Sequence, residues 1–229
     1  MRRARAIVAL LLGCAGCFGT ETGNPPVSPE LDVSRLDLVE EGGTITVVGA
    51  AGAVRPAGGR VHLVNLDGAA GLATADVAAD GSFRVTTEGD GASLVRVQAK
   101  QGALRSLPVD LQLVALPSPS LACVTVEPQR AADLGSVRVG EPLRVPVAVT
   151  NECGVEVTVE AARLRLGEPA FTLEGPPTPR PLADGARADF ELVFTPSAPG
   201  EVEDVILFDV AGGADRVRLA VTVYGEGVL

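Results

Sequence analysis

The sequence has no tryptophan, and a single residue each of tyrosine, methionine and histidine. Aromatic residues make up 3% of its 229 positions, so any core must be assembled from Val, Leu and Ala. That composition favours pleated, half-buried strands over large aromatic-centred domains. The lone histidine, His62, removes every device that needs two imidazoles, and it has no partner motif. There is no H-E-x-x-H, no Walker A loop, no G-x-S-x-G and no G-x-G-x-x-G following a strand. No apolar run reaches the roughly 20 residues of a membrane-spanning helix. Lysine occurs once, at Lys100, and no basic run follows the first five residues. Without such a run, nucleic-acid binding has no electrostatic footprint.

What is present is apolar, acidic and rich in turns. Apolar residues are 46% of the chain, enough for packed cores and against global disorder. The 27 glycines and 17 prolines are scattered, as many short strands joined by turns require. The length fits one or two domains. The formal net charge is −10, and loss of Arg2, Arg3 and Arg5 with a cleaved leader would make it more acidic still. Such a surface repels nucleic acid and anionic head groups.

The first residues read as an export signal. Basic "MRRAR" is followed by uncharged "AIVALLLG" at 6–13 and then by "CAGC" at 14–17, the n-, h- and c-region order of a secretory leader. Leu11-Leu12-Gly13-Cys14 and Ala15-Gly16-Cys17 both resemble the lipobox of bacterial lipoproteins. The resemblance implies cleavage immediately before an acylated cysteine. Cys17 is the preferred lipidation site, because it gives a leader of less extreme shortness; Cys14, with Leu11 three positions before it, is the alternative. The C-x-x-C spacing could also mark a redox pair or half a zinc site, but no second pair and no nearby histidine accompanies it. The expected division is a leader at 1–16 and a flexible tether at 17–35 that includes "FGTETGNPPVSPE". Several acyl chains anchor a protein stably where one does so only marginally.

Between 36 and 115, strand-like runs alternate with turns. Val61 and Leu63 share one face of Arg60–Leu66, and His62, Val64 and Leu66 the other. Phe83 and Val85 follow the Asp80-Gly81 turn. Val95, Val97 and Ala99 share a face, as do Val109, Leu111 and Leu113. Short strands at this spacing without an amphipathic helix indicate a sandwich. The stretches "VVGAAGAVRPAGGRVHLVN", "ATADVAADGSF" and "VRVQAKQGALRSLPVDL" resemble bacterial immunoglobulin-like repeats of surface proteins, which implies a spacer or adhesive role. The "DGSF" turn is also similar to one in the non-catalytic regulatory domain of some carboxypeptidases. Asp80-Gly81 reads as a turn rather than half a calcium loop, since Asp76, Asp80, Glu88 and Asp90 are too dispersed for six to eight oxygen ligands. His62 reads as an ordinary strand residue.

A linker at 116–120, "LPSPS", leads to a second series over 121–229. Leu143, Val145, Val147 and Val149 alternate with Arg144, Pro146, Ala148 and Thr150. Val155, Val157 and Val159 continue the pattern. Leu164 and Leu166 then take the opposite parity, which places a bulge near Ala161-Ala162. Phe190, Leu192 and Phe194 form one face, and Val217, Leu219, Val221 and Val223 another. One apolar face per strand is what a two-sheet sandwich requires. The motifs "CVTVEP", "LGSVRVGEPLRVPVAVTNECG", "FELVFTPSAPGEVEDVI" and "VYGEG" resemble, in order, the ASH (abnormal spindle and hydin) immunoglobulin-like family. This resemblance implies a sandwich serving as a structural or protein-binding module.

The expected fold is therefore all-β, two tandem immunoglobulin-like β-sandwiches after a cleaved lipoprotein signal peptide. If Leu121–Val126 pairs antiparallel with Leu143–Thr150, the start of one strand lies beside the end of the other. Cys123 and Cys153 then meet as a disulfide, which an exported protein can keep; two free thiols or a thiol pair on a metal are the alternatives. The acidic pairs Glu40-Glu41 and Glu203-Asp204 read as solvated surface. No catalytic residue, metal ligand or cofactor is expected. The expected function is a non-enzymatic, lipid-anchored module of the cell envelope, expected in the outer membrane on its periplasmic face or at the cell surface, with another envelope protein as partner. A surface adhesin or carbohydrate binder is the alternative, and an accessory or regulatory module of an envelope enzyme the second.

Overall fold

The computed structural model describes residues 27–114 and 121–229. Cys14, Cys17, the leader, the first part of the tether and the "LPSPS" linker lie outside the described residues.

The first unit runs through β1 (Glu30–Leu31), a 3-10 turn (Val33–Arg35), β2 (Leu36–Glu41), β3 (Thr44–Gly49), β4 (Val54–Arg55) and β5 (Arg60–Asn65). It continues with β6 (Ala73–Asp76), β7 (Phe83–Glu88), β8 (Val95–Gln101), β9 (Leu104–Arg105) and β10 (Val109–Leu111). One sheet has the order β2-β3-β7 and the facing sheet β10-β8-β5-β6, with β9 added beside β8. β1 pairs with β4, Glu30 opposite Arg55, so the segment read as the end of the tether already belongs to a strand ribbon. Period-two alternation turns Ile45, Val47, Val61, Leu63, Val85 and Val97 into one closed core. The Asp80-Gly81 turn forms as expected. Asp80 accepts from the Ser82 backbone N–H at 2.9 Å and from its hydroxyl at 2.7 Å. Gly81 has φ +83°, and a Cβ there would lie 2.6 Å from the Val54 carbonyl, so the turn needs glycine.

The second unit comprises β11 (Val124–Glu127), β12 (Ala131–Arg138), β13 (Leu143–Asn151), β14 (Val157–Leu164), β15 (Phe171–Glu174) and β16 (Arg180–Leu182). β17 (Arg187–Phe194), β18 (Gly200–Gly212) and β19 (Asp215–Val228) complete it. Its sheets have the orders β11-β13-β17-β15 and β12-β19-β18-β14-β16. Leu192, Phe194, Ile206, Phe208, Val221 and Val223 fill the core between them. Phe171 stacks on Phe194 and Phe190 tilts against Phe208, each pair at 5.0 Å between ring centres. The bulge is present: the β14–β18 register shifts between Val159 and Ala161. Val155 departs from expectation, lying before β14 and 60% exposed, because the turn at 152–155 precedes the strand.

Both units are all-β immunoglobulin-like sandwiches, and they pack against each other by sheet faces. Val64 and Leu66 of the first unit meet Val205, Leu207 and Ala220 of the second in a third apolar cluster. Four sheets are thus layered, β2-β3-β7 outermost at one end and β11-β13-β17-β15 at the other, with the inner two sharing a seam.

Candidate functional site

The seam concentrates the polar groups that alternation sends away from both cores. Along β5, Val61 and Leu63 turn into the first core, so His62 and Val64 face outward. Along β18, Ile206 and Phe208 turn into the second core, so Glu203, Val205 and Leu207 face outward. The same rule sends out Tyr224 on β19 and Lys100 on β8. His62 Nδ1 lies 2.9 Å from both carboxylate oxygens of Glu203. Arg105 of β9 donates to the same carboxylate and places its guanidinium 4.2 Å from the centre of the Tyr224 ring, a cation–π contact. Lys100 pairs with Glu201. The side chains of Arg105, Glu203 and His62 are 3%, 11% and 12% exposed, so this is a buried network rather than a solvated one.

Burial by itself would raise the Glu203 carboxyl. The His62 hydrogen bond and the charge of Arg105 outweigh burial and hold it below its ordinary value. Burial pushes the Tyr224 phenol up, with Asp133 adding to the effect and Arg105 opposing it.

Towards the other end of the seam, apolar contacts are joined by bonds to backbone and by further ion pairs. Arg165 donates to the carbonyls of Asn65 and Ala70, both at 2.8 Å. Arg218 bridges Asp209, at 2.6 Å, and Asp67. Arg96, chelated by Asp110 at 2.7 and 2.8 Å, also donates to the Arg130 carbonyl at 3.2 Å. Arg130 has a φ of 61°, and Thr222 N–H closes on the same carbonyl at 2.7 Å.

The reading of Glu203-Asp204 as a solvated acidic pair is therefore corrected. Glu203 neutralises the buried Arg105 guanidinium and bonds His62 across the seam. Asp204 is fully buried and accepts backbone N–H groups from Arg165, Leu166, Glu168 and Val205 at 2.6–3.1 Å, fixing the loop after β14. Glu40 and Glu41 are exposed as expected. His62 is a strand residue, as expected, but its ring ties the two units together.

An open cleft of about 450 Å³ borders the ionic end of the seam, with His62 and Glu203 in its lining and Leu72, Leu166 and Pro169 among its walls. No serine, threonine or cysteine lines it. A second cleft, about 630 Å³, lies among the end loops of the first sandwich near Asp67, Glu88, Asp90 and Gln112. Asp90 is committed to Ala92 and Ser93, and no aromatic ring lines the cleft. Among the described residues no group of three His, Cys, Asp or Glu side chains is placed to hold a metal, and no helix is long and apolar enough to cross a membrane.

Cys123 and Cys153 are bonded, with α-carbons 5.0 Å apart. Val124 lies opposite Asn151 in the antiparallel β11–β13 pair, the juxtaposition the strand order requires.

No family model matches the sequence, and no curated protein matches it. Solved structures do resemble the fold. An ASH / PapD-like domain of human CEP192 is 13% identical over 52% of this chain and 94% of its own, with a TM-score of 0.40. A protein of unknown function from Porphyromonas gingivalis W83 is 14% identical over 86% of this chain and 99% of its own, TM-score 0.36. The VesB protease of Vibrio cholerae is 14% identical over 75% of this chain and 63% of its own, TM-score 0.42. These likenesses are shallow, and the protease's activity does not pass to this chain through them.

Proposed function

We propose that the protein is a non-enzymatic, lipid-anchored module of the cell envelope that presents two fixed sandwiches to another envelope protein. The observation that carries this reading is the seam: charged side chains that could line a reactive site are instead spent on one another between the sandwiches. The order of basic, apolar, small and cysteine residues at the N-terminus supports acylation at Cys17, with Cys14 as the alternative. The motif order of the second sandwich supports an ASH-type domain, and the first supports a bacterial immunoglobulin-like spacer. The outer membrane is the proposed location.

Photo-crosslinking in intact membranes, with probes on the exposed faces of the outermost sheets, tests the reading. One recurrent protein partner is expected. The adhesin alternative draws on the end-loop cleft of the first sandwich, and enrichment of glycan in place of protein would favour it. Protein that takes up no palmitate label and is released freely into the soluble fraction would remove the anchor from the proposal.

A further inference from the structure

The seam is divided along its length. At one end lie His62, Lys100, Arg105, Glu201, Glu203 and Tyr224. Next to them lie Val64, Leu66, Val205, Leu207 and Ala220, with Arg218, Asp67 and Asp209 beyond. The pattern follows from two strands: β5 passes from His62 to Val64, and β18 passes from Glu203 to Val205 and Leu207 before returning to charge at Asp209. Each sandwich keeps its own closed core, which shares no residue with the seam cluster.

We propose that the ionic end of this seam is an acid-released latch, with Glu203 as its keystone and the apolar cluster as its pivot. The groups facing Glu203 are His62 from β5, Lys100 from β8, Arg105 from β9, Glu201 from its own strand β18, Tyr224 from β19 and Glu168 from the loop after β14. Glu203 is the carboxylate within contact of the Arg105 guanidinium. Protonating it leaves that guanidinium buried and without its counter-charge, the arrangement that costs most in a protein interior. Beyond the apolar cluster Arg218 pairs with Asp67 and Asp209, but these side chains are 23–40% exposed, so the pairs hold little. The cluster and the bonds from Arg165 to the Asn65 and Ala70 carbonyls keep the units together while the ionic end parts. Opening widens the adjacent cleft and exposes His62 and Arg105. The latch operates whatever the partner is, so it stands apart from the reading above.

The protein carries its own reporter. Tyr224 is the only tyrosine and there is no tryptophan, so intrinsic emission from the full chain comes from a ring beneath Arg105 at the ionic end. Acrylamide quenching of that emission is measured from pH 7 down to about pH 3.5, with far-ultraviolet circular dichroism alongside. A reversible rise in quenching below about pH 4.3, with the β signal retained, is expected. Glu203→Gln should be quenched at pH 7 as strongly as the acid form, while Glu203→Asp, which keeps the charge, should stay closer to the parent. Quenching that is flat to pH 3.5, or that rises only as the β signal is lost, would overturn the latch. So would a folded Glu203→Gln indistinguishable from the parent at pH 7. If that variant does not fold, the titration of the unmodified chain decides the question.

Discussion

His62 and Glu203, 141 residues apart in sequence, meet at 2.9 Å across the face between two sandwiches. A pair this distant couples the two units, because neither sandwich contains both members. A histidine and a carboxylate are also two parts of a hydrolytic triad, yet here the carboxylate is shared with Arg105 and no hydroxyl or thiol lines the cleft beside them. The geometry favours a structural tie.

The Cys123–Cys153 bridge closes a loop of 30 residues. Loop closure of that length contributes roughly 3–4 kcal/mol in the chain-entropy treatment. Reduction, or the Cys123→Ser/Cys153→Ser double variant, is expected to lower the urea midpoint of the second sandwich accordingly. Non-reducing mass spectrometry of the mature protein should find both cysteines protected from alkylation; two freely alkylated thiols would contradict the pairing.

Asp204→Ala removes the acceptor for four backbone N–H groups around the loop after β14. Leaving buried donors unpaired should cost about 2–4 kcal/mol. Asp204→Asn, which keeps one carbonyl oxygen, should cost less. Urea unfolding of the three proteins side by side checks the order, and an Asp204→Ala variant as stable as the parent would refute the role.

Acid should weaken the fold through lowered carboxyls. Burial raises both Glu203 and Asp209, but His62 and Arg105 for the first, and Arg218 and Arg163 for the second, bring the net value below the ordinary one. A carboxyl lowered in the folded state contributes its full stability above its unfolded value, about 3.9–4.3. It loses that contribution as pH falls through the folded value. Stability from these two groups should therefore be level between pH 7 and about 5.5 and fall below about pH 4. Urea unfolding in overlapping buffers measures this, and the account expects no decline from them beginning above pH 6.

The two cores were legible because alternation is local. Phe190, Leu192 and Phe194 share a face in sequence and in the core, and the parity change after Val159 marked the bulge. The disulfide followed from strand order together with the expected export. The seam was not legible, since whether an outward residue meets water or another sheet depends on partners more than 100 residues away. Glu203-Asp204 is chemically indistinguishable from Glu40-Glu41 until those partners are placed. A signal did exist in the run Val205–Phe208, four apolar residues without alternation. Such runs belong to strands buried on both faces. "LVNL" at 63–66 has the same character, interrupted by Asn65. Its side chain accepts from the Asp67 and Gly68 N–H groups and donates to the Glu88 carbonyl at 2.7 Å.

The central claim is that the two sandwiches move as one body at neutral pH, and backbone ¹⁵N relaxation tests it most directly. Amides of β3, β5 and β8 in the first sandwich and of β13, β17 and β19 in the second should report one common rotational correlation time, that of the whole chain. Two separate, shorter times, each fitting a domain of about 100 residues tumbling by itself, would contradict the account.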